Sequence, residues 1–124
     1  MTAFDINSQN GAAAELLAAA KLTRMGLTVA FPFVAQQACD MIVFDGEKFS
    51  TIQIKSGTTQ RHGRTRISED FSKYKHLDFV ICYDGPNDDW YIFTSAEISD
   101  RRSIQFSRKR HAAFLERWDK ITTE

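Results

Sequence analysis

A chain of 124 residues is long enough for one compact domain, expected over 1–124, and too short for two. Its 43% apolar content and ten phenylalanines exclude a disordered chain, and no stretch approaches the about 18 consecutive apolar residues of a membrane span. Formal net charge is zero, so any affinity for a polyanion has to come from local clusters rather than bulk charge.

Asn7, Ser8 and Asn10 precede an Ala- and Leu-rich segment that ends near Met25, with Gly26 behind it. The pattern predicts a helix with polar caps at its start and a glycine stop. Its apolar run from Ala12 to Ala20 is broken by Glu15 and follows no basic segment, a poor match to a secretory leader. Residues 27–34 are β-rich, and Pro32 predicts an edge position or a bulge. Residues 39–44 read as a short apolar strand, Asp45-Gly46 as a turn, and 49–55 as the alternating partner strand. A Gly-, Thr- and Arg-rich connection, partly extended, follows over 56–66. A short helix is expected within 68–76, then strands 79–83 and 90–94 around the turn DGPNDD. The last helix is expected over 108–121, where Phe114, Trp118 and Ile121 repeat at i, i+4 and i+7 with Leu115 alongside. This order predicts an α/β sandwich with a mixed sheet. Cys39 and Cys82 lie in apolar, strand-like contexts without companion ligands. They are read as free buried thiols, and the compartment as reducing, hence cytoplasmic.

Two places concentrate polar chemistry. On a helical wheel of about 100° per residue, Ala12, Ala18, Ala19 and Leu22 surround Glu15, while Lys21 and Arg24 point away. The wheel therefore predicts Glu15 near the middle of the buried face, where an unpartnered carboxylate costs several kcal/mol as an order of magnitude. It calls for a cation, a metal or a hydrogen-bond network; a buried structural salt bridge is the plainer alternative. On the hairpin, Gln53 and Lys55 share one strand face, about 6–7 Å apart, and Ile52 and Ile54 take the other. A two-residue Asp-Gly turn would pair Asp40 with Thr51, and a four-residue loop would pair it with Gln53. Either register points Asp40, Gln53 and Lys55 to one side of the sheet, which the Glu15 helix is expected to cover. An acid, an amide oxygen and a second acid suit a hard divalent cation such as Mg²⁺, with Asp40, Gln53, Glu15 and the Ile54 carbonyl as ligands. Lys55 would then hold and help deprotonate an attacking water, or meet the charge on a phosphorane.

The segments GAAAELLAAAKLTRMGLTVAFPF and ACDMIVFDGEKFSTIQIKSG resemble the PD-(D/E)XK nuclease superfamily. The likeness points to the branch of group I intron homing endonucleases, archaeal Holliday junction resolvases and related small phage and bacterial nucleases. Glu15 matches that family's helix acid, Asp40 its metal-binding acid, and Gln53-Ile54-Lys55 its last motif. DDWYIFTSAEI resembles its late strand and short helix, and HAAFLERWDKI the aromatic C-terminal helix of the intron branch. Cys39 stands where the motif has Pro. Gln53 stands where a second carboxylate is usual, which keeps an oxygen ligand and removes a negative charge; the intron branch also uses Gln there. The resemblance implies a restriction-endonuclease-like sandwich with helices flanking a mixed sheet. It further implies an endonuclease of double-stranded DNA, homing or restriction-like, dependent on Mg²⁺ with Mn²⁺ as a substitute. A Holliday junction resolvase and a catalytically silent DNA-binding module of the same fold are the alternatives.

Nine of the sixteen cationic side chains fall in two acid-free stretches, 55–66 and 101–111. Arg61, His62, Arg64 and Arg66 follow the lysine motif, and Gly57 and Gly63 there would allow close approach to a DNA backbone. Arg108, Lys109 and Arg110 would open the last helix, where cations oppose the helix dipole unless a phosphate sits among them. These seven residues are the expected DNA contacts; ordinary solvated loops are the alternative. One small subunit with one site cuts one strand, so a homodimer or homotetramer is expected for a double-strand break.

Overall fold

The computed structural model describes residues 3–33, 39–59 and 63–122. Helix α1 spans Ala3–Arg24. It starts upstream of the expected caps, so Asn7, Ser8 and Asn10 are interior positions; no Gly or Pro among residues 3–6 stops the helix from extending. It ends as expected at Gly26, whose φ of +92° lets the chain reverse. The Gly26 N–H then bonds the Thr23 carbonyl at 3.0 Å and the Leu27 N–H the Leu22 carbonyl at 3.2 Å.

Three strands follow: β1 (Thr28–Ala30), β2 (Met41–Phe44) and β3 (Phe49–Ser56). Strand β1 is at the sheet edge and stops before Pro32. The β2–β3 hairpin takes the four-residue loop, with Phe44 opposite Phe49. Asp45 closes it by accepting the N–H groups of Glu47 and Lys48, each at 2.9 Å. After β3 come β4 (Thr58–Thr59), β5 (Thr65–Ser68), a 3-10 turn Phe71–Tyr74, β6 (Phe79–Asp84), a 3-10 turn Gly85–Asn87 and β7 (Asp89–Thr94). Helix α2 (Ser95–Ile98), β8 (Ser103–Gln105) and α3 (Asp119–Thr122) complete the order. The central sheet runs β1-β2-β3-β6-β7, with β3 and β6 parallel and every other pair antiparallel. It is the mixed sheet the sequence predicts. A second, three-stranded sheet, β4-β5-β8, lies outside that expectation.

The central sheet has a core on each side. Ala14, Ala18 and Leu22 of α1 pack with Met41, Val43, Ile52, Ile54, Ile81 and Ile92. On the other side Val80, Cys82, Tyr91 and Phe93 pack with Ile67 and Ile104 of the small sheet, Phe71 and Ile98. Cys39 and Cys82 are free thiols; Cys82 is buried and Cys39 half-buried. Among the described residues, no helix is long and apolar enough to cross a membrane.

The C-terminal segment departs from the predicted helix. Residues 108–114 form turns, Leu115 makes a single bridge to Tyr91, and only Asp119–Thr122 is helical. The segment covers the open edge of β7: Ile92 N–H bonds the Phe114 carbonyl at 2.9 Å, and Glu116 N–H the Trp90 carbonyl at 2.7 Å. Phe114 and Leu115 join one core while Trp118 and Ile121 join the other. The helical spacing of those residues reflects a strap that crosses the sheet edge and feeds both faces.

Candidate active site

Strand β2 begins at Met41, opposite Ile52, and Asp40 stands one residue outside the ladder. Its backbone N–H reaches the Ile52 carbonyl at 2.9 Å, and its Oδ2 accepts the Ile54 N–H at 2.8 Å. The carboxylate thus fills the place in the sheet plane that a further residue of β2 would occupy. That position differs from the strand-parity expectation, which put Asp40 on one face. It also explains how groups from both faces reach it. Glu15 comes from α1, which packs on the Ile52 and Ile54 face rather than covering Gln53 and Lys55. Lys55 comes from the opposite face, where Gln53 and Lys55 pair with Val80 and Cys82.

The electrostatics follow this placement. Burial pushes the Asp40 carboxyl above its ordinary value; the Ile54 N–H and the Lys55 ammonium pull the other way without cancelling it. Burial, then the charge of Asp40, pushes Glu15 upward as well. Glu15 is half-buried beside the Ala14, Ala18 and Leu22 stripe rather than at its centre. The Asp40 charge thus disfavours ionisation of Glu15, while Lys55 only partly offsets the burial of Asp40. Gln53 is half-buried. Among the described residues, no group of three or more His, Cys, Asp or Glu could hold a metal ion.

Lys55 has partners the sequence did not announce. Its Nζ lies 3.2 Å from Glu69 Oε2 and 5.2 Å from the centre of the Tyr74 ring. Burial alone would lower the Lys55 pKa, but Tyr74 and Glu69 outweigh it and raise it above the ordinary lysine value. The i, i+4 spacing of Glu69 and Lys73 within the predicted short helix announces their own ion pair and not the meeting with Lys55.

The basic residues divide. Arg61 and His62 lie outside the described residues. Arg64 is exposed, and Arg66 is exposed between the buried Thr65 and Ile67 of β5. Arg108 is committed to Asp89 through two hydrogen bonds of 2.7 and 3.0 Å, so its fork ties a turn to β7. Lys109 and Arg110 are exposed in that turn, and with no helix there the dipole argument for a phosphate falls away. Gly57 serves the chain itself: a Cβ there would meet Thr65 Cγ2 at 2.6 Å and the Arg66 carbonyl oxygen at 2.9 Å. A cleft of 380 Å³ opens on the α1 side of the same sheet end, lined by Asn10, Ala13 and Leu17 of α1, Ser56, Gly57 and Tyr83 among others. It adjoins the end of β3 and does not include Asp40.

A mixed five-stranded sheet flanked by helices, with an acid at the start of one hairpin strand and a lysine on the next, is the restriction-endonuclease-like fold. Two solved structures share it. One is a bacterial homing endonuclease, with a TM-score of 0.79 and 19% identity over 92% of this chain and 91% of that one. The other is Hjc, a Holliday junction resolvase of Archaeoglobus fulgidus, with a TM-score of 0.60 and 16% identity over 93% and 98%. The profile of the PD-(D/E)XK endonuclease family matches residues 6–113, and the chain belongs to that family. It is also 34% identical over 100 residues to Protein 5.3 of Escherichia phage T7, covering 76% of this chain and 85% of that protein.

Proposed function

We propose that this chain is a metal-dependent endonuclease that hydrolyses phosphodiester bonds of double-stranded DNA, with residues 1–124 as one nuclease-like domain. The observation that supports this most is the Asp40 carboxylate, fixed in the sheet plane by the Ile54 N–H between Glu15 on one face and Lys55 on the other. The donor set fits a hard divalent cation: Asp40 and Glu15 supply negative charge, and the Gln53 side chain and Ile54 carbonyl supply neutral oxygen. Mg²⁺, or Mn²⁺ in its place, would contribute Lewis-acid charge at the scissile phosphate and a more acidic bound water. The chain's own groups have separate tasks. Asp40, oriented through Oδ2, anchors the cation, and Glu15 adds a second negative charge from α1. Lys55 Nζ orients the attacking water or meets the charge that develops on the phosphorane oxygens.

DNA is gripped by Arg61, His62, Arg64, Arg66, Lys109 and Arg110, while Arg108 holds the turn that presents the last two. A homodimer or homotetramer brings two sites to the two strands. The test is calorimetric titration of Mg²⁺ and Mn²⁺ beside cleavage of linear duplex and four-way junction DNA. Gln53→Glu, which restores a carboxylate, is expected to tighten the cation, and Asp40→Ala to abolish both cation binding and cleavage. Asp40→Ala that cuts at the wild-type rate rules Asp40 out as the ligand. Selective cutting of the junction would shift the substrate to that of a resolvase.

A further inference from the structure

The face of β3 that carries Gln53 and Lys55 is covered by the crossover from β3 to β6, and that crossover delivers an acid to the lysine. Glu69 divides its carboxylate, with Oε2 at 3.2 Å from Lys55 Nζ and Oε1 at 3.1 Å from Lys73 Nζ. The Glu69 side chain is only 17% exposed, and its backbone N–H is fixed to the Arg102 carbonyl at 3.0 Å. Lys73, which is largely exposed, orients one oxygen and leaves the other aimed at Lys55. Tyr74 stands beside the same ammonium, its ring centre 5.2 Å from Lys55 Nζ.

This geometry settles a competition. Lys55 is within electrostatic reach of Asp40, the acid at the start of β2. Gln53, its neighbour on the same strand face, is neutral and offers no counter-charge. Without another anion, Asp40 is the acid that would draw the ammonium, toward the carboxylate that the cation needs. An ammonium has three N–H donors, and Glu69 engages one of them.

We propose that Glu69 is a positioning residue, which holds the Lys55 ammonium off Asp40, with Tyr74 beside it, and leaves an N–H for the substrate. What Lys55 does there rests on the nuclease reading above; how it is held does not. The opposite role, a clamp that withdraws Lys55 from the reaction, predicts a faster enzyme when Glu69 loses its charge.

The experiment compares the wild type with Glu69→Gln by two readouts. At saturating plasmid and Mg²⁺, kcat is expected to fall on the order of tenfold to a hundredfold, the scale of a misplaced reacting group, with KM for DNA nearly unchanged. In a Lys55→Met background the same change is expected to have no further effect, because Glu69 acts through Lys55. Independently of cleavage, the ¹⁵Nζ resonance of the Lys55 ammonium is expected to be distinct from exposed lysines in the wild type and to move in Glu69→Gln. Glu69→Asp, which keeps the charge but shortens its reach, serves the same comparison where Glu69→Gln fails to fold. Cleavage at or above the wild-type rate in Glu69→Gln, or an unmoved Lys55 resonance, overturns the proposal. A wild type without metal-dependent cleavage overturns the nuclease reading instead, and the resonance still decides how Lys55 is held.

Discussion

Gly57 has room for a hydrogen and little more. It joins β3 to β4, and the close approach of Thr65 and Arg66 leaves no space for a methyl group. Gly57→Ala is expected to cost about 1–3 kcal/mol, the usual penalty of overpacking, read as a lower urea midpoint at unchanged slope. His111 makes a different demand. It is 3% exposed, lies edge-on to Tyr91, and neither ring nitrogen has a hydrogen-bond partner among the described residues. Burial, followed by the nearby charge of Arg101, lowers its pKa below the ordinary 6.5. The unfolded chain therefore takes up a proton, as pH falls through 6.5, that the folded chain refuses, and stability is lost in that window and kept above it. His111→Phe is expected to flatten the decline of Tm between about pH 7 and pH 5, a window set by the free-histidine pKa. Parallel melting curves for the two proteins would mean that His111 does not drive the decline.

Among the elements, the strap over β7 rests on Glu116, a non-glycine residue at φ +53°. Its carboxylate accepts the Trp90 N–H at 3.0 Å and the Trp118 Nε1–H at 2.9 Å. Glu116→Ala is expected to cost about 1–3 kcal/mol for the lost charged hydrogen bonds, with faster hydrogen exchange at the Trp90 amide. An unchanged Trp90 exchange rate would mean the strap is held by packing alone. The strap is also where local pattern stops being informative. Apolar spacing at 114, 118 and 121 fits one helix face as well as it fits a chain crossing a sheet edge, and only the β7 edge decides between them. The β2–β3 hairpin was legible because Asp45-Gly46 and strict alternation constrain it. The small sheet was not, because β4 has two residues and β8 three, too few to show a period.

For the molecule as a whole, the mixed sheet, its helix α1 and the nuclease family were readable from local pattern and motif. The arrangement of the acids was not. Strand parity assumes that the ladder continues, and at Asp40 it ends, which turns a one-faced cluster into a group that straddles the sheet. Glu69 was invisible for the related reason that its meeting with Lys55 depends on the path of a crossover. Metal-dependent turnover through Lys55 is tested by plasmid cleavage at saturating DNA in Mg²⁺, compared with EDTA and with Lys55→Met. The expected result is cleavage that EDTA abolishes, and a Lys55→Met variant that binds DNA nearly as well as the wild type but turns over slower by about a hundredfold or more. Cleavage that survives EDTA, or a Lys55→Met variant that cuts at the normal rate once DNA is saturating, would refute it.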